Sequence, residues 1–303
     1  MIQPIFKNEL HQQQFEKDGF VVARKLIPAA VVTALRQLYF KFQKEHHGDK
    51  LGMHSTAHTN NYEILHEIHE TLVDLTTEYA DQFLMNYKFY LGNFLVKESR
   101  KDSLFDMHQD WNCVDESQFC SLNFWMDLEG MNKHNGRLFF VRGTHRLAPN
   151  IRFAPNCPTP WQKVKNIAPL FYTYLDTEPG DVVFLNNATL HGSVINTSGK
   201  NRIAAVLGTY PANATLLHYY KDADAPLDKI ERHIVTTEGL TNMPRGQRPA
   251  GSIMDGYVTY NTPEVTPKEF VDFMMKQYNM KDKMVHYVRR LNKSLRFENT
   301  NEA

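Results

Sequence analysis

The chain has 303 residues, of which 42% are hydrophobic and 22% are charged, a composition typical of a globular protein with a sizeable core. Its 34 basic and 34 acidic residues give a formal net charge of zero, which argues against nucleic acid or an anionic membrane surface as the main partner. The three cysteines share no CxxC spacing, and the first residues carry no long apolar segment. We therefore expect reduced thiols in a cytoplasmic protein. We also expect a monomer or a homodimer.

The first 84 residues predict helices that support a larger unit. Residues 10–17 predict a short helix that breaks at Asp18-Gly19, just before a β-type run at Phe20. Pro28 opens the next helix, because its missing N–H is harmless in a first turn. Two apolar stripes at helical spacing follow. They comprise Val31, Leu35, Leu38, Tyr39 and Phe42 in one helix, and Leu65, Ile68, Leu72, Leu75 and Tyr79 in the next.

The segment between these two helices is rich in histidine. It contains His46, His47, His54 and His58. A zinc site is one interpretation, but the spacing fits no closed structural set of zinc ligands. We therefore predict a solvated loop.

From about residue 85 the pattern changes to short β-type runs separated by glycine and proline turns. The predicted strands are Tyr87–Val96, Cys120–Leu128, Arg137–Val141, Asp181–Leu185 and Ile203–Tyr210. The proline-rich segment 148–162 cannot be a central strand and predicts a long loop over the sheets. Many short strands with such turns indicate a mainly β protein, a sandwich or barrel with flanking helices.

After Tyr210 the sequence predicts an irregular stretch to about residue 262. Thr266-Pro267-Lys268-Glu269 then forms a capping box with proline at the first helical position, which predicts a helix. A last amphipathic segment, predicted to be core or interface, carries Met284, Tyr287, Val288 and Leu291. We expect one domain over 1–303, with helical support in 1–84, the β core in 85–212 and a lid or helical extension in 213–303.

Two residues with ligand-type side chains lie close together in the middle of the chain. His108 and Asp110 are two positions apart, so on an extended strand they would point to the same face and could chelate a divalent metal. His191, which follows a turn and a buried strand, is the candidate third ligand. Two histidines and one carboxylate on one face of a metal leave three open positions, as in the facial triad of non-haem Fe(II) oxygenases. A bidentate cosubstrate and O2 would fill those positions.

Such a cosubstrate needs a cation for its far carboxylate. Arg202 lies 202 − 191 = 11 residues after His191, and a hairpin of that length would return its strand beside His191. A guanidinium grips a carboxylate through two hydrogen bonds, which a lysine does less well. Ser193 shares the strand face of His191 and offers a further hydrogen bond.

The sequence resembles the phytanoyl-CoA dioxygenase family of Fe(II)/2-oxoglutarate-dependent oxygenases. The matching pieces are Phe15 to Val22, Met107-His108-Gln109-Asp110, Asn135-Gly136-Arg137 through Gly143-Thr144-His145, and Pro179-Gly180-Asp181 through His191-Gly192-Ser193 to Arg202. The resemblance implies a double-stranded β-helix (jelly-roll, cupin-like) core that binds Fe(II), 2-oxoglutarate and O2. It also implies iron on His108, Asp110 and His191, the 2-oxoglutarate C5 carboxylate on Arg202, and Ser193 and Gln109 near that cosubstrate.

Asp110 narrows the implied chemistry. Family members that halogenate replace this carboxylate with glycine or alanine, so its presence favours hydroxylation, or a related desaturation or ring closure. We expect an unactivated C–H bond of a small metabolite, such as an amino acid or a natural-product intermediate, to be oxidised with release of succinate and CO2. One alternative is an acyl-CoA thioester, for whose phosphates Arg245 and Arg248 are the nearest basic patch. An alternative of a different class is a metal-binding jelly roll without catalysis.

The substrate pocket is the least specific prediction. Its candidate residues are Trp111, Asn112, Asn123 and Trp125, and the stretch 230–260 is a candidate lid. Asn123 and Trp125 are two positions apart on a predicted strand, so they share a face and would both point into the barrel.

Overall fold

Two antiparallel β-sheets form the centre of the protein, in a computed structural model that describes residues 3–43, 52–148, 151–243 and 246–278. The strands are β1 (Phe20–Ala23), β2 (Met53–Ser55), β3 (Tyr87–Lys97), β4 (Phe105–His108), β5 (Leu122–Asp127), β6 (Leu138–Phe140), β7 (Thr173–Leu175), β8 (Val182–Asn186), β9 (His191–Ser193), β10 (Arg202–Pro211), β11 (Leu217–Tyr220), β12 (Ile230–Ile234) and β13 (Ile253–Val258). The α-helices are α1 (Glu9–Asp18), α2 (Ala29–Phe42), α3 (Tyr62–Ala80), α4 (Thr237–Thr241) and α5 (Pro267–Gln277).

The larger central sheet has six strands in the order β1-β8-β5-β10-β3-β2, and the smaller has four in the order β4-β9-β6-β7. A third sheet of three strands, β11-β12-β13, follows them in the chain. All strand pairs within these sheets are antiparallel. The predicted mainly β fold with a jelly-roll core and flanking helices is confirmed.

The larger sheet is buried on both faces. Alternate side chains of each strand point to opposite sides, and each side packs against a different apolar cluster. On β5, Trp125 packs between the two central sheets, together with Leu138 and Phe140 of the smaller sheet. Its neighbours Phe124 and Met126 instead join the cluster that helices α1, α2 and α3 cover. Asn123 shares the inner face with Trp125, as its two-residue spacing predicts.

Most predicted elements are present. The structure contains the three N-terminal helices, the five strands predicted between residues 85 and 212, and the capping-box helix α5. The described part of the proline-rich segment contains no strand and lies between β6 and β7. Cys113, Cys120 and Cys157 are free thiols. Within the described residues, no helix is both long enough and apolar enough to cross a membrane.

The prediction of an irregular stretch after Tyr210 is wrong. β11, β12, β13 and α4 all lie within it. These strands alternate poorly, since polar side chains such as His218, Arg232 and Asp255 interrupt them and β13 is mostly exposed. Period-two apolar patterning, which reveals half-buried strands, is therefore missing here.

Several predictions concern residues outside those that the structure describes. They are the loop histidines His46 and His47, the basic candidate Arg245, and the last amphipathic segment with Met284, Tyr287, Val288 and Leu291.

Gly19 brings the end of the first helix close to the segment before β9. It ends α1 with φ of 83°, a left-handed conformation that L side chains avoid. A Cβ placed on Gly19 would collide with the side chain of Thr189, whose Oγ1 donates a hydrogen bond of 3.1 Å to the Gly19 carbonyl. The break predicted at Asp18-Gly19 therefore also fixes how closely this turn approaches the segment before β9.

We expect Gly19→Ala to destabilise the protein more than Gly199→Ala does. Gly199 has a similar φ of 79°, but a Cβ there would meet nothing within 4 Å. Both variants introduce left-handed strain of about 1–2 kcal/mol, and only Gly19→Ala adds overpacking of about 1–3 kcal/mol. Urea denaturation of the two variants and the wild type measures the difference. Equal losses of stability would contradict the close approach.

Candidate functional site

Two neighbouring strands of the smaller sheet bring three ligand-type residues together. His108 is the last residue of β4, His191 is the first of β9, and the two are paired directly across the ladder. Asp110 lies two residues beyond the end of β4. The prediction that His108 and Asp110 share one strand is wrong in this respect, because only His108 belongs to the strand. The three side chains nevertheless converge.

The distances within this group suit a metal site. His108 Nε2 lies 3.4 Å from Asp110 Oδ1, and His191 Nε2 lies 3.5 Å from Asp110 Oδ2. One ligand atom from each residue lies within 4.8 Å of the other two. It is the only such cluster of histidine, cysteine and carboxylate side chains in the described part of the chain.

Main-chain carbonyls orient both imidazoles. His108 Nδ1 lies 2.9 Å from the Asp106 carbonyl, and His191 Nδ1 lies 2.9 Å from the Thr189 carbonyl. Because a carbonyl oxygen only accepts, each Nδ1 carries the proton and each Nε2 keeps its lone pair for a ligand. This arrangement of the outer nitrogen is usual for histidines that bind metals.

The group carries its charge on Asp110. Burial alone would raise the pKa of Asp110, but His191 and His108 outweigh it and lower that pKa to about 2. Burial lowers the pKa of His191 to about 4, so its imidazole is neutral near pH 7. One carboxylate and two imidazoles form a donor set that suits a divalent transition metal.

Asn123 orients the carboxylate. Its Nδ2 donates a hydrogen bond of 2.7 Å to Asp110 Oδ2 from the inner face of β5. The larger sheet therefore helps to position the carboxylate of Asp110, although the main chain of Asp110 follows β4 of the smaller sheet. The sequence suggested Asn123 for the substrate pocket, whereas the structure gives it a partner in the ligand group.

A second feature of the interior is a pair of buried cations. Arg202 begins β10 and Lys97 ends β3, and the two residues are paired in the ladder. Arg202 is 2% exposed and Lys97 is fully buried. Arg202 Nη1 donates to the Gly136 carbonyl at 2.7 Å, while its buried Nε has no partner. Lys97 Nζ donates to Ser193 Oγ at 2.9 Å and to the Ser103 carbonyl.

The predicted hairpin between His191 and Arg202 is wrong. β9 belongs to the smaller sheet and β10 to the larger one, so the connection crosses from one sheet to the other. Arg202 lies in the facing sheet, and the hydrogen bond from its ladder partner Lys97 to Ser193 links the two sheets. The lysine takes this path because Gly136 has no side chain, and a Cβ there would collide with the Lys97 stem.

Burial lowers the pKa of both basic side chains. Burial lowers the pKa of Arg202 to about 10, although Asp127 opposes the shift. Burial and the neighbouring Arg202 charge lower the pKa of Lys97 to about 7. Among the described residues, neither forms an ion pair with a carboxylate. An unpaired buried charge is costly, so this part of the barrel suits a carboxylate ligand.

The remaining predicted residues have different surroundings. Trp125 lies beside Arg202, whose Cζ is 5.6 Å from the indole ring centroid. Trp111 is 40% exposed and packs edge-on against His218 of β11. Asn112 is buried, and its Oδ1 accepts a hydrogen bond from the main chain of Arg152.

Gln109 uses both polar atoms of its amide within the protein. Its Oε1 accepts from Trp161 Nε1 at 2.9 Å, and its Nε2 donates to the Ala188 carbonyl at 2.7 Å. This arrangement favours a structural role for Gln109.

The sequence analysis missed Lys97. It lies one position beyond the predicted strand Tyr87–Val96 and shares the inward face of β3 with Leu95, but a lysine at a strand end is typical of a solvated terminus. Only the pairing of Lys97 with Arg202 reveals it.

Comparisons with known proteins identify a family and several structures of similar fold. The sequence model of the phytanoyl-CoA dioxygenase family matches residues 15–204, and a comparison with curated proteins found no match. Similar solved structures include the carbocyclase SnoK of nogalamycin biosynthesis, described as non-haem and α-ketoglutarate-dependent. It has a TM-score of 0.52 and 18% identity, over 69% of this chain and 86% of that chain.

Two further structures were solved with ligands. The epimerase SnoN in complex with Fe3+, α-ketoglutarate and nogalamycin RO has a TM-score of 0.55 and 15% identity, over 82% of this chain and 97% of that chain. HygX from Streptomyces hygroscopicus, with nickel, 2-oxoglutarate and hygromycin B bound, has a TM-score of 0.51 and 14% identity, over 84% of this chain and 98% of that chain. At these identities the likeness shows the fold.

Lys97→Met should change how stability depends on pH. The unfolded chain keeps its lysine proton to about pH 10, whereas folded Lys97 loses it near pH 7. Between these values the unfolded state binds more protons, so wild-type stability rises with pH relative to Lys97→Met, by up to about 1.4 kcal/mol per pH unit. Urea denaturation between pH 6 and pH 9 measures the divergence. Lys88→Met, which replaces an exposed lysine of the same strand, is the control; parallel curves for Lys97→Met would refute the prediction.

Proposed function

The chain belongs to the phytanoyl-CoA dioxygenase family, and we propose that it hydroxylates an unactivated C–H bond of a small metabolite. It is an Fe(II)- and 2-oxoglutarate-dependent dioxygenase, and its cofactors are Fe(II), 2-oxoglutarate and O2. The reaction, the substrate and the roles of individual residues are the subject of the proposal.

His108, Asp110 and His191 hold the iron in this proposal. The donor set, the 3.4 Å and 3.5 Å spacings to Asp110 and the Nε2 atoms left free by the carbonyl contacts support it. Three protein ligands on one face leave positions for a bidentate cosubstrate and for O2. When bound, the iron supplies with 2-oxoglutarate and O2 the oxidant that breaks the substrate C–H bond, with release of succinate and CO2.

Arg202 and Lys97 receive the C5 carboxylate of 2-oxoglutarate, and Ser193 adds a hydroxyl beside them. The observation that carries this assignment is the guanidinium of Arg202, which is buried, has an unpartnered Nε and forms no ion pair with a carboxylate of the described residues. A dicarboxylate bound there would neutralise the charge and satisfy the donor. We leave Gln109 outside the cosubstrate site, because Trp161 and Ala188 occupy its amide.

The presence of Asp110 favours hydroxylation over halogenation, since a halide would need the position that this carboxylate occupies. Asn123 holds Asp110 Oδ2 at 2.7 Å and so keeps the carboxylate in place. Ring closure and epimerisation are reactions of the relatives SnoK and SnoN, and they remain alternatives within the same oxidation chemistry.

A natural-product-like small molecule is the substrate class that we favour. Structures of similar fold hold hygromycin B and nogalamycin RO. Trp111 directly follows the ligand Asp110 and exposes 40% of its surface, so we assign it to substrate contact. Asn112, Asn123 and Trp125 already have partners within the protein.

An acyl-CoA substrate is less well supported. Its phosphates need free basic side chains, and Arg248 pairs with Glu231 at 2.8 Å and with Asp222 at 2.7 Å. These two carboxylates neutralise the described part of the candidate basic patch. A metal-binding protein without catalysis is also disfavoured, because metal binding alone would not require Arg202 and Lys97 to be buried as an anion-binding pair.

Anaerobic addition of Fe(II) and 2-oxoglutarate should give a weak visible charge-transfer band. We expect Asp110→Ala and His191→Ala to lose the band. Arg202→Ala should retain it only at high 2-oxoglutarate concentration, since loss of a buried charge partner weakens binding by about 2–5 kcal/mol, or about 30-fold or more. Titration of 2-oxoglutarate at fixed iron measures the affinity.

The matched control is Arg232→Ala, which removes an arginine paired with Asp255 in the third sheet, and its band and affinity should equal those of the wild type. Absence of the band in the wild type, with no succinate after air is admitted, would refute the proposed function. A normal 2-oxoglutarate affinity in Arg202→Ala would remove Arg202 from the site.

A further inference from the structure

Arg152 is a buried arginine whose side chain reaches the segment that carries Asp110. It lies in the loop between β6 and β7 and is 6% exposed. Its Nε donates a hydrogen bond to the main-chain carbonyl of Asp110. Its main-chain N–H donates to Asn112 Oδ1 at 2.8 Å. Two contacts of one residue therefore hold the chain immediately after the ligand.

The rest of the guanidinium binds Glu116. Nη1 donates to Glu116 Oε2 at 2.9 Å and Nη2 donates to Oε1, which is a bidentate pair with a mostly buried carboxylate. Arg152 thus spans from Asp110 to Glu116, both ends of one loop. Only an arginine has the planar fork that makes these contacts at once.

The main chain of Asp110 needs such support, because β4 ends at His108 and no sheet ladder continues past it. The Asp110 N–H is bonded to the Asn187 carbonyl at 2.8 Å, and the Arg152 bond satisfies the carbonyl. Asn123 orients the carboxylate, but it cannot fix where the Cα lies. Metal ligands must be held within about 0.5 Å of their working positions.

We propose that Arg152 is a positioning residue for the metal site: it clamps the main chain of Asp110, with Glu116 as the anchor of its guanidinium. The inference rests on the proposed role of Asp110 as an iron ligand. Arg152 contacts neither the metal nor the cosubstrate in this assignment. It sets the affinity for iron by holding the carboxylate ready before the metal arrives.

The alternative is that Arg152 and Glu116 stabilise the fold and nothing more. The two roles use different atoms, since Nη1 and Nη2 bind Glu116 whereas Nε binds Asp110. Arg152→Lys keeps a cation for Glu116 but cannot also supply the fixed Nε donor. The double variant Arg152→Gln/Glu116→Gln removes both charges together, which avoids an unpaired buried ion, and it also loses the clamp.

The test measures iron and cosubstrate affinities separately. Fe(II) is titrated anaerobically at saturating 2-oxoglutarate, 2-oxoglutarate is titrated at saturating Fe(II), and circular dichroism follows thermal unfolding of the metal-free protein. We expect both variants to bind Fe(II) about 10–100-fold more weakly, the usual effect of losing a group that supports a ligand. The affinity for 2-oxoglutarate at saturating iron should stay at the wild-type value.

Arg142→Lys is the control, because Arg142 makes a comparable bidentate pair with Asp18 at 3.0 Å in another part of the molecule. Its iron affinity should match the wild type. Wild-type iron affinity in a folded Arg152→Lys variant would overturn the positioning role, and so would recovery of affinity in the double variant. A wild-type protein that gives no charge-transfer band would instead refute the proposed function, so the two failures are distinguishable.

Discussion

Two basic side chains buried between the two β-sheets, Lys97 and Arg202, are the constraint on which the rest of the candidate site depends. Lys97 and Arg202 face each other in one ladder and have no carboxylate partner among the described residues. A protein gains no stability from unpaired buried cations, so a ligand that neutralises them would strengthen the fold as it binds. Gly136 makes room for the lysine stem and accepts a hydrogen bond from Arg202 through its carbonyl. The proposed dicarboxylate therefore completes the interior between the sheets.

The two sheets divide the work of the site. The smaller sheet carries His108 and His191, and the loop after β4 carries Asp110. The larger sheet contributes Arg202, Lys97 and the Asn123 amide. Two side-chain hydrogen bonds cross the gap, from Asn123 to Asp110 and from Lys97 to Ser193. Relative movement of the sheets would disturb both the group of His108, Asp110 and His191 and the two basic side chains. The apolar cluster around Trp125 fills the space between the sheets and opposes such movement.

The sequence predicts the parts of this protein whose pattern is local. The stripes of α2 and α3 and the β runs follow from spacing and residue type, and the same reasoning selected His108, Asp110 and His191, whose side chains the structure brings together. What it could not predict depends on contacts between distant segments. Lys97 has the pattern of a solvated strand end, the path from His191 to Arg202 changes sheets, and Arg152 lies in a proline-rich loop without periodicity. The sequence did not predict the third sheet because polar residues interrupt its strands and β13 is mostly exposed.

That third sheet is attached by one main-chain hydrogen bond to the loop after β4 and by another to the loop that carries Arg152. Leu217 of β11 donates its N–H to the Cys113 carbonyl at 2.8 Å. Ala154, two residues beyond Arg152, pairs with the same strand through the Tyr219 carbonyl at 3.0 Å. His218 of β11 also lies edge-on to Trp111, the residue that follows Asp110. In the proposed function, a substrate that contacts Trp111 would therefore lie next to this sheet. Arg152 joins the loop that contacts the same sheet to the main chain of Asp110.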